Sequence, residues 1–155
     1  MIDEPLRAFL ERGCAMIVGT VADDGTPHAQ RAWGCSVVDG VTVRVMLDAS
    51  DPVLHDHIVD GGRIAVTSAD VRTLRSVQLK GRVVELEPPT AADTARCEMH
   101  NDELFDDILA TDFYPREYTE RMVPPAYVAA VVAVDEVYDQ TPGPSAGAPV
   151  AGLPS

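Results

Sequence analysis

Three short β-forming runs follow one another between residues 15 and 47, and each junction is a tight turn. Residues 15–22 are apolar and rich in Val and Ile. Asp23-Asp24-Gly25-Thr26-Pro27 has the composition of a turn, residues 28–38 return, and Asp39-Gly40 reads as a two-residue hairpin turn. Residues 41–47 then alternate Val41, Val43 and Val45 with Thr42, Arg44 and Met46. Strands joined this closely must pair antiparallel, so the chain opens as a meander.

Around this meander the sequence predicts helices and further strands. Asp3, Pro5 and Gly13 bracket a short amphipathic helix in which Leu6, Phe9 and Leu10 share a face. Ser50-Asp51-Pro52 opens a second helix reaching about Val59, with Gly61-Gly62 ending it. Residues 63–68 and 75–86 are β runs, the latter the longest strand candidate, with Val77, Leu79 and Val83 on one face and Gln78, Lys80 and Arg82 on the other. A long helix starts at Thr90 with an imperfect capping box to Asp93 and runs to Leu109. A short helix over 115–122 and a Val/Ala-rich strand over 127–138 complete the count. Six strands with flanking helices point to an α+β, mainly β chain built on a closed or partly closed antiparallel barrel. Residues 1–140 form one domain, and 141–155 a Pro/Gly/Ala-rich tail that cannot fold alone.

Composition removes several function classes. Twelve basic residues stand against 25 acidic ones, a formal charge of −13 that repels nucleic acid and anionic membrane surfaces. No apolar run nears the roughly 20 residues of a membrane span. Met1-Ile2-Asp3-Glu4 carries no basic segment of a secretion signal. Cys14, Cys35 and Cys97, odd in number and widely spaced, read as reduced, buried thiols of a cytoplasmic protein.

The chain has no glycine-rich nucleotide fingerprint and no GxSxG serine. His55 and His57, two apart on a helix, point away from each other and read as surface groups rather than a metal pair. Asp102, Glu103, Asp106 and Asp107 read as a solvated helix face. Ser50, at a helix start after a strand, is a candidate anion seat, although Ser50 or Asp51 capping its own helix explains the same residues. Arg31, Arg75 and Lys80, the only lysine, are the cations that could serve such a seat. Arg31 and Trp33 share a strand face unless a bulge intervenes, and a cation beside an aromatic ring suits a flat, charged ligand or a dimer contact. Ser76, Gln78, Lys80 and Arg82 form a row of polar groups that is either solvent-exposed or aimed at a heterocycle.

The ordered set Ile17-Val18-Gly19-Thr20, Asp24-Gly25-Thr26-Pro27-His28, Arg31-Ala32-Trp33, 43–47, the Ser50-headed helix, 63–67 and 75–83 resembles the pyridoxamine 5′-phosphate oxidase-like family. The resemblance implies a six-stranded, FMN-binding split barrel that works as a homodimer, with cofactor clefts between subunits and an oxidoreductase activity on a small molecule. It implies cofactor contacts along Arg31, Ala32, Trp33 and Ser36, at Val45 and Met46, at a phosphate seat on Ser50, and near Ser76 and Gln78. Arg31, Ser50 and Arg75 are then expected at the phosphate and ribityl chain, Trp33 and Met46 against the ring, and Gln78 and Lys80 donating to it. The departures are Asp51-Pro52 after the seat serine, Trp33-Gly34-Cys35-Ser36 where a second basic stretch is expected, and Ser76 at the glutamine position. They argue against vitamin B6 oxidation. Alternatives within the family's range are a deazaflavin coenzyme or haem held in the same cleft without turnover, with His55, His57 or His100 as iron ligands.

Overall fold

A computed structural model describes residues 2–58 and 61–150. The elements in chain order are α1 (Glu4–Leu10), β1 (Ala15–Val21), β2 (Pro27–Val37), β3 (Thr42–Asp48), α2 (Pro52–Ile58), β4 (Arg63–Ala69), β5 (Ser76–Glu87), α3 (Ala91–Asp112), α4 (Arg116–Thr119), a 3-10 turn (Glu120–Met122) and β6 (Tyr127–Asp139). The strands close into an antiparallel barrel in the order β1-β2-β3-β6-β5-β4. The expected six-stranded antiparallel barrel is therefore what the chain forms. β6, with 13 residues, is longer than β5, with 12. It has to be, because it pairs with β3 through its first half and with β5 through most of its length. The predicted end of α2 at Val59 lies outside the described residues.

Alternation fills the barrel. Met16, Val18, Val43, Val45, Leu47, Val66, Leu79, Ala130 and Val132 are buried in one core with Leu6, Phe9 and Leu10 of α1 and Leu54 and Ile58 of α2. Asp3 caps α1, accepting from the Leu6 amide at 3.0 Å. The helix ends at Leu10, so Gly13 is not its stop. Gly13 instead lies against α3, where an added Cβ would stand 2.4 Å from the Glu103 Cβ. Its amide donates to Glu103 Oε2 at 2.7 Å.

A second, smaller cluster packs α3 onto the outer face of the barrel through Trp33, Met46, Cys97, Leu104, Phe105 and Ala129. The start of α3 is anchored electrostatically. Thr90 and Asp93 form a complete capping box. Asp93 also takes a two-pronged contact from Arg44, Nε to Oδ1 at 3.2 Å and Nη2 to Oδ2 at 2.8 Å. Arg44 reaches Glu87 with its remaining nitrogen. Burial alone would raise the Asp93 carboxyl, but the bonds from Arg44 and Thr90 outweigh it and hold it below the usual carboxylate range. The acidic face of α3 is solvent-exposed at Asp102, Glu103 and Asp106, as expected, and it also pairs with neighbouring cations. Asp102 and Asp106 pair with Arg116 of α4, and Asp107 pairs with Arg72 before β5.

The Pro/Gly-rich tail doubles back. The Asp139 amide donates to the Ala148 carbonyl at 2.9 Å and the Val150 amide to the Val137 carbonyl at 2.8 Å, which lays residues 148–150 beside the end of β6.

Candidate functional site

The register of the strands sets which side chains face outward around the barrel. Because Ala32, Val18, Val66 and Leu79 point into the core, their neighbours point out. Arg31 pairs with Ile17, Ile17 with Thr67, Thr67 with Gln78, and Gln78 with Tyr138, a cross-strand row that wraps around the barrel. The next row runs Ala29, Gly19, Ala65, Lys80 and Glu136. β2 and β5 stand three strands apart in the closed six-stranded barrel, so Arg31 and Gln78 face opposite sides of it. The second row is low over β1 and β4. Gly19 has no side chain, and a Cβ there would meet nothing within 4 Å. A groove of about 210 Å3 lies over Gly19 and Ala65, with Arg63 and Lys80 on its edges and Asp135 and Glu136 at one border.

The donors on this surface are fixed to different degrees. Gln78 Nε2 donates to Thr67 Oγ1 at 2.9 Å, which orients the amide. Lys80 stands 4.5 Å above the Tyr138 ring. Arg31 is half-buried and forms no ion pair among the described residues, although the chain holds twice as many acids as bases. Gln78 and Lys80 thus stand outward on one strand beside this groove, whereas Arg31, three strands away in the closed six-stranded barrel, faces the opposite side within one chain. The run Ile17-Val18-Gly19-Thr20-Val21, with a glycine at an outward position, was the available signal for the groove floor.

The other expected residues go elsewhere. Ala32 and Val45 point into the barrel. The β2–β3 register slips between Ala32, opposite Leu47, and Cys35, opposite Val45, so Trp33 and Gly34 together oppose Met46. The bulge begins at Trp33, so Arg31 and Trp33 do share the outer face, but α3 covers Trp33 and Met46. Their side chains reach no open cleft. Ser36 is outward and half-buried, opposite Arg44. Ser76 sits at the start of β5 with its hydroxyl on the Leu74 carbonyl, 3.0 Å away. Arg75 stacks 4.5 Å above the Phe9 ring of α1. It lies near the Ala15 end of β1, whereas the Ser50 region lies near the Thr20 end, about 17 Å away at about 3.3 Å per residue. Within one chain Arg75 and Ser50 do not converge.

The start of α2 is occupied by the chain itself. Asp51 Oδ1 accepts from the Val53 and Leu54 amides at 3.0 and 3.2 Å. Its Oδ2 lies 2.7 Å from His28 Nε2 and accepts from Gln30 Nε2 at 2.9 Å. Burial pulls this carboxyl up, yet the bonds from His28 and the helix amides prevail and keep it low. The Ser50 hydroxyl donates to Asp48 at 2.7 Å. A carboxylate therefore stands where the resemblance implied a phosphate, and Asp51, not Ser50, caps the helix.

The histidines and thiols supply no reactive group on this surface. His57 Nδ1 lies 3.1 Å from Thr20 Oγ1, and the His55 side chain lies outside the described residues. His100 is enclosed beneath α3 with Nδ1 3.2 Å from the Arg12 carbonyl. Burial pushes the Cys14, Cys35 and Cys97 thiols up to about 12, so all three remain protonated and poor nucleophiles.

Among the described residues no helix is long and apolar enough to cross a membrane. No protein of curated function matches the sequence. Among solved structures, Group A Streptococcus HupZ aligns with a TM-score of 0.57 at 16% identity, over 95% of this chain and 100% of that one. An F420 reductase aligns with a TM-score of 0.56 at 20% identity, over 88% and 98%. At such identities the likeness is one of fold. The family model described as pyridoxamine 5′-phosphate oxidase, however, matches residues 2–141, from α1 through the last strand. The chain belongs to the pyridoxamine 5′-phosphate oxidase family.

Proposed function

We propose that this chain is a homodimeric oxidoreductase that holds a flavin-type cofactor, FMN or a deazaflavin, in a cleft between two copies, against the outer faces of β1, β4 and β5. The observation that carries the reading is the groove over Gly19 and Ala65, bordered by Arg63 and Lys80, with Gln78 outward on the same strand as Lys80. The match to a Group A Streptococcus protein adds no ligand, but the activity in the name of the F420 reductase neighbour agrees with redox chemistry on this fold. When bound, the cofactor supplies the electron transfer, and the protein binds, orients and shields it. Arg31 from the second copy meets the phosphate, Gln78 presents an oriented donor to the ring, and Lys80 places positive charge near it. One wall is missing from a single chain. Ile17 and Val21, 45% and 52% exposed, are the apolar surface a second copy would cover.

Two measurements test this. Titrating FMN into the purified protein should build flavin absorbance bands, and Arg31→Ala should weaken binding by about 1.5–3 kcal/mol, roughly 10- to 150-fold. Ser50→Ala should leave affinity unchanged, because Asp48 already holds that hydroxyl. Equal affinity in Arg31→Ala and the parent would remove Arg31 from the site. In sedimentation, the parent should run as a dimer of 16.6-kDa chains and Ile17→Glu as a monomer. A parent that stays monomeric at high concentration rejects the two-copy cleft.

Asp51 supports a second reading. A built-in carboxylate at the start of α2 disfavours a phosphate there, which suits a dimer that binds haem or another ligand without turnover. A Soret band in place of flavin bands would select it.

A further inference from the structure

Arg63 on β4 and Arg82 on β5 stand directly opposite each other in the sheet. Their chain neighbours Ile64 and Val83 are buried in the barrel core, so both guanidiniums lie on the outer face. Like charges placed opposite each other across two strands repel. Neither arginine pairs with a carboxylate among the described residues, in a chain with twice as many acids as bases.

The turn before β4 holds this pair in place. Gly61 takes the left-handed region at φ 82°, and a Cβ on Gly62 would stand 2.1 Å from the His57 carbonyl oxygen, so the turn lies tight against α2. The Val83 amide donates to the Gly62 carbonyl at 3.1 Å, and Arg82 Nη1 to the Gly61 carbonyl at 3.5 Å.

A cavity of about 650 Å3 opens in front of the two arginines. Its acids, Asp23 and Asp56, are carried by the β1–β2 turn and by α2, not by the two strands that carry the cations. Val21 and Ala22 are the only apolar side chains among its lining residues, and none of these is Phe, Tyr or Trp. The volume suits a small-molecule ligand, but the walls do not suit a flat ring. Two guanidiniums at cross-strand spacing can straddle one phosphate, each offering paired N–H donors, and a bound phosphate replaces their repulsion with attraction. Ionised carboxylates only accept, so the acids call for hydroxyl donors on the same ligand. The cavity shares Val21 and Arg63 with the groove over Gly19 and Ala65, and the two open into each other there.

We infer that this cavity is a second ligand site, built for a phosphorylated sugar. Arg63 and Arg82 take the phosphate, and Asp23 and Asp56 accept from the hydroxyls. As the substrate's seat beside the cofactor, it rests on the flavin reading; as a sugar-phosphate site, it does not.

Calorimetric titration of ribose 5-phosphate into the full chain tests it, first alone and then after saturation with FMN. Binding is expected in both titrations, and Arg82→Gln should weaken it about 10- to 150-fold. Asp23→Asn should weaken ribose 5-phosphate roughly fivefold and leave the affinity for inorganic phosphate as in the parent. Arg82 and Asp23 are at the surface, so both variants should fold, which a thermal melt verifies. No binding to the parent, or equal affinity in Arg82→Gln, would overturn the inference and leave the flavin reading standing. Loss of binding once FMN is present would also overturn it, because the cavity would then hold the cofactor's own phosphate. Binding of ribose 5-phosphate to a chain that takes up no FMN would sink the flavin reading and keep the sugar-phosphate site.

Discussion

Arg44→Met should destabilise the protein by about 3–5 kcal/mol, lowering the melting temperature by roughly 10 °C or more. Among the described residues Arg44 is the only cation in contact with Asp93, whose side chain keeps 4% of its surface exposed, and it simultaneously reaches Glu87 at the end of β5. Removing it leaves a carboxylate desolvated by α3 and the barrel, with only Thr90 as a partner. The cost is the stranded charge more than the lost attraction. Arg44→Met combined with Asp93→Asn should therefore recover a substantial part of the loss, because the neutral amide needs no counter-charge. Urea denaturation of the three proteins decides the matter. A single-variant loss below about 1 kcal/mol would mean that α3 is held by its apolar face alone.

Between about pH 7.5 and pH 4, His100 should cost the fold about 3 kcal/mol. The imidazole is 1% exposed, its Nδ1 lies by the Arg12 carbonyl, and its Nε2 has no partner among the described residues. Burial pushes its pKa down from 6.5 to about 4, against a smaller upward pull from the Arg12 carbonyl and Glu103. The native state therefore resists a proton that the unfolded chain accepts. Stability is full above the unfolded value of about 6.5, falls as the pH drops through it, and stops falling from this cause near the folded value of about 4. His100→Asn keeps a donor for the Arg12 carbonyl and does not titrate, so its denaturation midpoint should be much flatter between pH 7.5 and 5. An unchanged slope in that variant would assign the acid sensitivity to other groups.

The barrel was legible because its information is local. Alternating Val residues, Asp39-Gly40 and the Asp23–Pro27 turn each specify pairing between neighbours in sequence. The site was only partly legible, because it depends on pairings between distant segments. The groove over Gly19 and Ala65 forms only after β1 pairs with β4 and β4 with β5, a register that no local pattern states. The fate of Trp33 and Met46 was hidden for a related reason. An outward side chain on a strand looks the same in sequence whether water, a cofactor or α3 covers it. Asp51 was the reverse case. Its place just before Pro52 marked it as a helix cap, and the fold adds what sequence does not contain, the approach of His28 and Gln30 from β2.

The strip of chain at residues 148–150 gives the last strand a neighbour on the side that β3 leaves uncovered. Peptide groups there would otherwise be an open template for another chain. A protein clipped near residue 140 would keep its barrel sequence yet expose adhesive backbone, so trimming by proteases during storage would show first as slow self-association rather than as unfolding.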